Sequence, residues 1–123
     1  MAKITSVDMS IHRETFAVGS ICSIRYSYIL QCDALEIENK MGYVVWCELW
    51  GKELLGEKLI GDAVFDSHSE EAGKLVRNSR EFTVSCAVLN EKVGVDILFV
   101  KVKAESTLGI EIEAQSPDVK DSF

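Results

Sequence analysis

The sequence predicts an all-β protein: an antiparallel β-sandwich of about seven strands, of immunoglobulin-like size, with a small β-barrel as the alternative closure. Three observations lead there. Apolar and polar side chains alternate with a period of two over most of the chain, the pattern of strands with one buried face. Turn residues interrupt the alternation every 8–15 residues. At 123 residues, 47% hydrophobic and 27% charged, the chain is long enough for one sizeable core.

The clearest strand is 20–31, with Cys22, Ile24, Tyr26, Tyr28 and Leu30 on one face and Ser23, Arg25 and Ser27 on the other. Residues 80–89 repeat the rule with Phe82, Val84, Cys86 and Val88. Residues 95–105 do so with Leu98, Val100, Val102 and Ala104, and residues 108–114 with Leu108, Ile110, Ile112 and Ala114. Three weaker segments complete the set. In 4–13, Thr5, Val7, Met9 and Ile11 share a face; 43–50 is an apolar run; 58–65 is short and interrupted by Gly61. Turns are expected at Gly19, "DALEIENKMG", "WGKELLGE" and "NEKVG", and "ESTLG" suits a tight hairpin between the last two strands.

Residues 67–78, "SHSEEAGKLVRN", depart from the pattern. Serines followed by glutamates, with basic residues near the end, suit a short helical crossover. Alternation is lost again in "QSPDVKDSF", which holds the only proline. The expected organisation is one sandwich domain over 1–115 and a mobile C-terminal tail over 116–123, removable without unfolding and ending in Phe123 as a weak recognition tag.

Charge and cysteine usage narrow the function. With 20 acidic and 13 basic residues the net charge is −7, and no Lys/Arg cluster offsets it, which argues against nucleic acid. No apolar stretch approaches the length of a membrane helix, and "MAKITSVDMS" lacks the apolar core of a secretory signal. A cytoplasmic location follows as the expectation, and with it four unbridged cysteines, Cys22, Cys32, Cys47 and Cys86. None of them forms a CxxC pair, so neither a metal nor a redox motif is indicated. The immunoglobulin hallmarks are incomplete: Cys86 falls on the fifth strand, and Val84 stands where a tyrosine corner would place its ring.

No catalytic constellation stands out. His12 and His68 read as solvated surface histidines, and no nucleophile elbow or phosphate loop occurs. The acidic pairs Glu36/Glu38, Glu70/Glu71 and Glu111/Glu113 lack a calcium-loop spacing. Glu111 and Glu113 instead suit cross-strand pairing with Lys101 and Lys103. The sequence therefore points to a protein that is not an enzyme and carries no cofactor or metal.

One stretch remains, "GYVVWCELWGKELLG" at 42–56. Tyr43, Val45, Cys47 and Leu49 form a uniformly apolar face, whereas Val44, Trp46, Glu48 and Trp50 include a carboxylate. Burying an unpaired Glu48 is costly, so the first set should face inward. That leaves Trp46, Glu48 and Trp50 outward as candidate partner-binding residues, tryptophan being favoured at binding hot spots. The competing reading makes Trp46 the core tryptophan of an immunoglobulin-like third strand. The function that fits best is a protein-interaction or structural module acting through a strand face or edge, including as a homo-oligomer. A binder of small apolar ligands with a cavity between sheets is the alternative, and a cysteine-dependent enzyme the third reading.

Overall fold

A computed structural model describes residues 1–16, 19–53, 56–60, 65–89 and 96–121. Over these, the chain runs through β1 (Lys3–Phe16), β2 (Gly19–Gln31), α1 (Ala34–Glu38), β3 (Gly42–Glu53), β4 (Gly56–Leu59) and β5 (Phe65–Glu71). It continues through β6 (Val76–Ser85), α2 (Cys86–Leu89), β7 (Asp96–Ser106), β8 (Glu111–Gln115) and β9 (Val119–Asp121). All strand pairs are antiparallel. A three-stranded sheet has the order β1-β2-β6. A six-stranded sheet is built on the central pair β3–β7, with β4 and β5 along the far side of β3 and β8 and β9 along the far side of β7. Gly61, the "NEKVG" turn and Phe123 lie outside the described residues.

The alternation expected from sequence sets the core. Cys22, Ile24, Tyr26, Tyr28 and Leu30 of β2 pack against Tyr43, Val45, Cys47 and Leu49 of β3 and Leu98, Val100, Val102 and Ala104 of β7, all buried. Each strand buries every second side chain, so two facing sheets remove both apolar sets from water together.

Several segments differ from the sequence reading. The expected helical crossover at 67–78 is instead two strands, β5 and β6, joined through 72–75. Its serines and glutamates mimic a helix start, but Asp66, His68 and Glu70 alternate inward, as do Asn78 and Arg80, because polar partners await them. Gly73 is needed in the connection: a Cβ there would lie 2.7 Å from Val76 Cγ2. Short helices appear elsewhere. In α1, Asp33 accepts from the Glu36 N–H while the Glu36 side chain accepts from the Asp33 N–H, a capping box within the expected turn. The second helix, α2, takes up Cys86–Leu89, so Cys86 does not extend the β6 alternation.

In β1 the register with β2 shifts between Thr5 and Asp8, with Ser6 at φ 52. This bulge changes the inward residue from Thr5 to Ile4, while Val7, Met9 and Ile11 keep the expected side. Leu108 and Ile110 fall in and beside the β7–β8 turn and stay exposed; only Ile112 and Ala114 of that set reach the core.

One further expectation is overturned, and a second segment takes a place the alternation did not indicate. Cys22 and Cys86 form a disulfide, Cα atoms 5.2 Å apart, and only Cys32 and Cys47 are free among the four. The bridge joins β2 to the first residue of α2, just past the end of β6, where Ile21 pairs with Ser85 within one sheet. It therefore differs from the sheet-to-sheet bridge of immunoglobulin domains. The second is the tail: residues 116–121, expected to be mobile, lie against β7. The Ser116 N–H donates to the Val100 carbonyl (2.9 Å), the Val100 N–H donates to Ser116 Oγ (3.0 Å), and β9 pairs with Asp96–Leu98.

Two predictions follow from these corrections. Ser116→Ala leaves the buried Val100 N–H without its acceptor and should cost about 1–3 kcal/mol in urea unfolding; removal of 116–123 should cost more. Non-reducing intact mass should reveal one bridge. The Cys22→Ala, Cys86→Ala double variant should lose about 2–4 kcal/mol, because the bond closes a loop over a sequence separation of 64.

Candidate functional site

The outward side of the six-stranded sheet carries the predicted residues. Since Tyr43, Val45, Cys47 and Leu49 face the core, Val44, Trp46, Glu48 and Trp50 face away from it. Trp46 is thus not a core tryptophan but a half-buried side chain on the outer face. The register places Trp46 opposite Lys103, Glu48 opposite Lys101, and Trp50 opposite Phe99.

These neighbours form one cluster around a carboxylate. The Trp46 Nε1–H donates to Glu48 Oε2 (3.3 Å) and the Trp50 Nε1–H to Glu48 Oε1 (3.1 Å). Lys103 Nζ lies 3.2 Å from Glu48 Oε1 and 4.0 Å from Glu113. Lys101 Nζ sits 3.9 Å from the centroid of the Trp50 ring and 3.9 Å from Glu57. Glu48 retains only 12% side-chain exposure. Burial alone would raise its pKa, yet the two indoles and Lys103 prevail and hold it below its ordinary value. Of the expected cross-strand pairs, Lys103–Glu113 forms. Glu111 instead faces Glu105, because the hairpin register sets Lys101 opposite Gln115.

At the end of this face Phe99 is 0% exposed, although it alternates with the core residues Leu98 and Val100. Lys52 Nζ lies 5.7 Å from its ring and is paired with Asp118 at 2.9 Å. The sequence shows Phe99 between two core positions but not that the chain returning through Asp118 places a counter-ion there.

A second polar cluster was missed from sequence. It lies between the sheets, where Tyr26 and Tyr28 of β2 reach toward β5. The Tyr26 hydroxyl donates to Asp66 (2.7 Å), which also accepts from Arg80 Nε (2.6 Å) and Nη2 (2.9 Å). Tyr28 is 2.6 Å from His68 Nε2 and donates to Glu70 at 3.1 Å. His68 Nδ1 is 3.0 Å from the Asp66 carbonyl, which only accepts, so Nδ1 carries a proton. His68, expected to be a solvated surface residue, has 10% side-chain exposure. The legible signal was the spacing of Asp66, His68 and Glu70 at every second residue, but polar residues at that period read as solvent-facing.

Chemically, this second cluster is saturated. Burial first, then the bond to Asp66, pushes the Tyr26 hydroxyl well above its usual pKa; burial does the same to Tyr28. Neither is an activated nucleophile. Burial also raises the thiols of Cys32 and Cys47, which favours their neutral, unreactive forms. Among the described residues no three His, Cys, Asp or Glu side chains are grouped to hold a metal ion. A cavity of about 190 Å³ lined by Ala2, Glu36, Met41, Tyr43, Ile110 and Ile112 lies at one end of the fold. It falls below the ~300–1,000 Å³ usual for ligand pockets, and Glu36 within it accepts from the Tyr43 hydroxyl.

Asp66 gives a pH prediction. Burial would raise its pKa, but Arg80 and Tyr26 lower it below the ordinary 3.8. The folded chain then binds fewer protons than the unfolded chain near pH 4. The stabilisation is present above that range and is lost as pH falls through the lowered value. Asp66→Asn should destabilise the protein at pH 7 and flatten the acid limb of a melting-temperature profile between about pH 5 and 2.

No protein-family model matches the chain, and no curated protein matches it. Among solved structures it is similar to a Northeast Structural Genomics Consortium target called SoR45, at 7% identity and a TM-score of 0.45, covering 99% of this chain and 86% of that one. It is also similar to the putative ApaA protein from Bordetella pertussis, at 7% identity and a TM-score of 0.43, covering 99% and 94% respectively.

Proposed function

We propose that this chain is a non-catalytic protein-interaction module that engages a protein partner through the outer face of the six-stranded sheet, centred on Trp46, Glu48 and Trp50. The observation that carries this reading is the arrangement of the two tryptophans. Both stand on the side away from the core, half-buried, with their indole N–H groups committed to one carboxylate. Such rings are already ordered, so a partner covering them gains apolar contact with little further loss of side-chain freedom. The flanking Lys101, Lys103, Glu57 and Glu113 supply a mixed-charge rim.

The opposite outer face offers a contrast that supports the choice. Across β1, β2 and β6 it presents His12 beside Ser23 and Thr83, Ser10 beside Arg25 and Glu81, and Ser27 beside Ser79, a mainly polar surface whose apolar members are Ile29 and, at one end, the exposed Ile21. The apolar-ligand alternative would use the small cavity near Tyr43 or the open depression of about 620 Å³ lined by Phe16, Ile21 and Val84 at the end of the three-stranded sheet, and neither lies between the sheets as a closed apolar pocket. For location, no helix among the described residues is long and apolar enough to cross a membrane. The Cys22–Cys86 bridge favours an oxidising compartment over the cytoplasm expected from sequence.

Trp46→Ala and Trp50→Ser, each in the full chain, test the proposal by pull-down from the native source alongside melting temperature. Loss of a partner that the unaltered chain captures, with the fold retained, is the expected result. A loss of roughly 3–5 kcal/mol of stability, the cost of truncating a core aromatic, would make these residues structural and end the reading.

A further inference from the structure

We infer that two copies of this chain pair antiparallel through the far edges of their β6 strands, with Ser79 on the two-fold axis. The two three-stranded sheets then merge into one six-stranded sheet. This goes beyond the proposed role of the Trp46 face and does not depend on it.

The argument begins with the edge. Among the described residues β6 pairs with β2 on one side only. Its register with β2 runs from Val76 to Ser85 without a shift, so the strand is regular along its whole length. A straight edge of this kind is a template for strand addition. Among the described residues there is no proline in β6, no bulge and no strand across it, and its inward-pointing charge, Arg80, is neutralised by Asp66.

The sequence of the edge selects the occupant. In a two-fold antiparallel pair, opposed residues have a constant sum of numbers and share a face. Centring the axis on Arg80 places Arg80 against Arg80, and centring it on Arg77 or Glu81 sets those residues against themselves. An axis through Asn78 pairs Arg77 with Ser79 and forms no ion pair. Only the axis through Ser79 places Arg77 of each copy opposite Glu81 of the other, giving two opposite-charge pairs. Asn78 then faces Arg80, with no like charges directly opposed.

The side chains are disposed to permit this. Arg77, Ser79 and Glu81 lie on the exposed outer face. Arg80 points inward to Asp66 and leaves the outer face clear. Glu81 accepts from Arg25 of its own chain at 3.0 Å. In the dimer it is bracketed by two arginines, Arg25 and Arg77 of the second copy. The net charge of −7 would repel a second copy on average. Arg77, Arg80 and Glu81 make this edge a place without that acidic excess.

Sedimentation velocity of the full chain across a concentration series tests the inference. The unaltered chain should show a concentration-dependent dimer. Arg77→Glu and Glu81→Arg should each weaken it by about tenfold or more, since each sets two pairs of like charges face to face. An equimolar mixture of the two variants should restore it, because their edges again oppose unlike charges. Ser79→Cys should form a covalent dimer under mild oxidation, whereas Ser23→Cys, one strand inward on the same face, should not. A monomer at all concentrations overturns the inference. So does a dimer indifferent to both charge reversals, or an S79C chain that fails to cross-link. A dimer lost in Trp46→Ala but retained in Arg77→Glu would place self-association on the other face instead.

Discussion

Two phenol hydroxyls on the buried face of β2 constrain how the second sheet closes over the first. Tyr26 and Tyr28 are each 1% exposed, within a face otherwise made of Cys22, Ile24 and Leu30. Their rings contribute to burial, but their hydroxyls require partners, because an unpaired polar group at that depth costs more than the bond itself returns. β5 and β6 meet this requirement with Asp66, His68, Glu70, Asn78 and Arg80. Polar side chains therefore sit inward on these two strands and are matched to one another: Arg80 is ion-paired with Asp66, and the Asn78 amide donates to Glu70. The β3–β5 register slips between Val45 and Cys47, beside Asp66 at φ 59, where the strand meets its partners from β2 and β6.

Glu48 plays the equivalent part on the outer side of the six-stranded sheet. A carboxylate so little exposed would be unfavourable alone. Two indole N–H groups and one ammonium reverse the balance and keep it ionised. The same bonds hold Trp46 and Trp50 in place, so the feature that stabilises Glu48 also orders the surface proposed to meet a partner. The two sheets thus differ in surface chemistry as well as in size. One presents ordered aromatic rings within an ionic frame, and the other a mainly polar plane of serines, threonines and scattered charges, with Ile21 and Ile29 among them, ending at the β6 edge.

The margins of the fold are secured by different means. The Cys22–Cys86 bond fastens β2 to the chain leaving β6 near one end of the three-stranded sheet. Ser116 returns the C-terminal segment to β7 through hydrogen bonds with Val100. In both cases the stabilising partner lies where the alternation of the strand has just ended.

Alternation of apolar and polar residues determined the all-β class, the inward faces of β2, β3 and β7, and the outward position of Trp46, Glu48 and Trp50. Those features follow from burial and the two-residue period of a strand, both local properties that one stretch of chain displays alone. Tertiary structure decided the rest. The polar strand β5 and the start of β6 resembled a helical crossover because the inward side chains of β5 find partners about 40 residues away in Tyr26 and Tyr28. The disulfide joins residues separated by 64, and Ser116 meets Val100 across 16. A hydrophobic pattern records how much each residue avoids water, whereas a hydrogen bond, ion pair or disulfide depends on which distant group the folded chain sets opposite it.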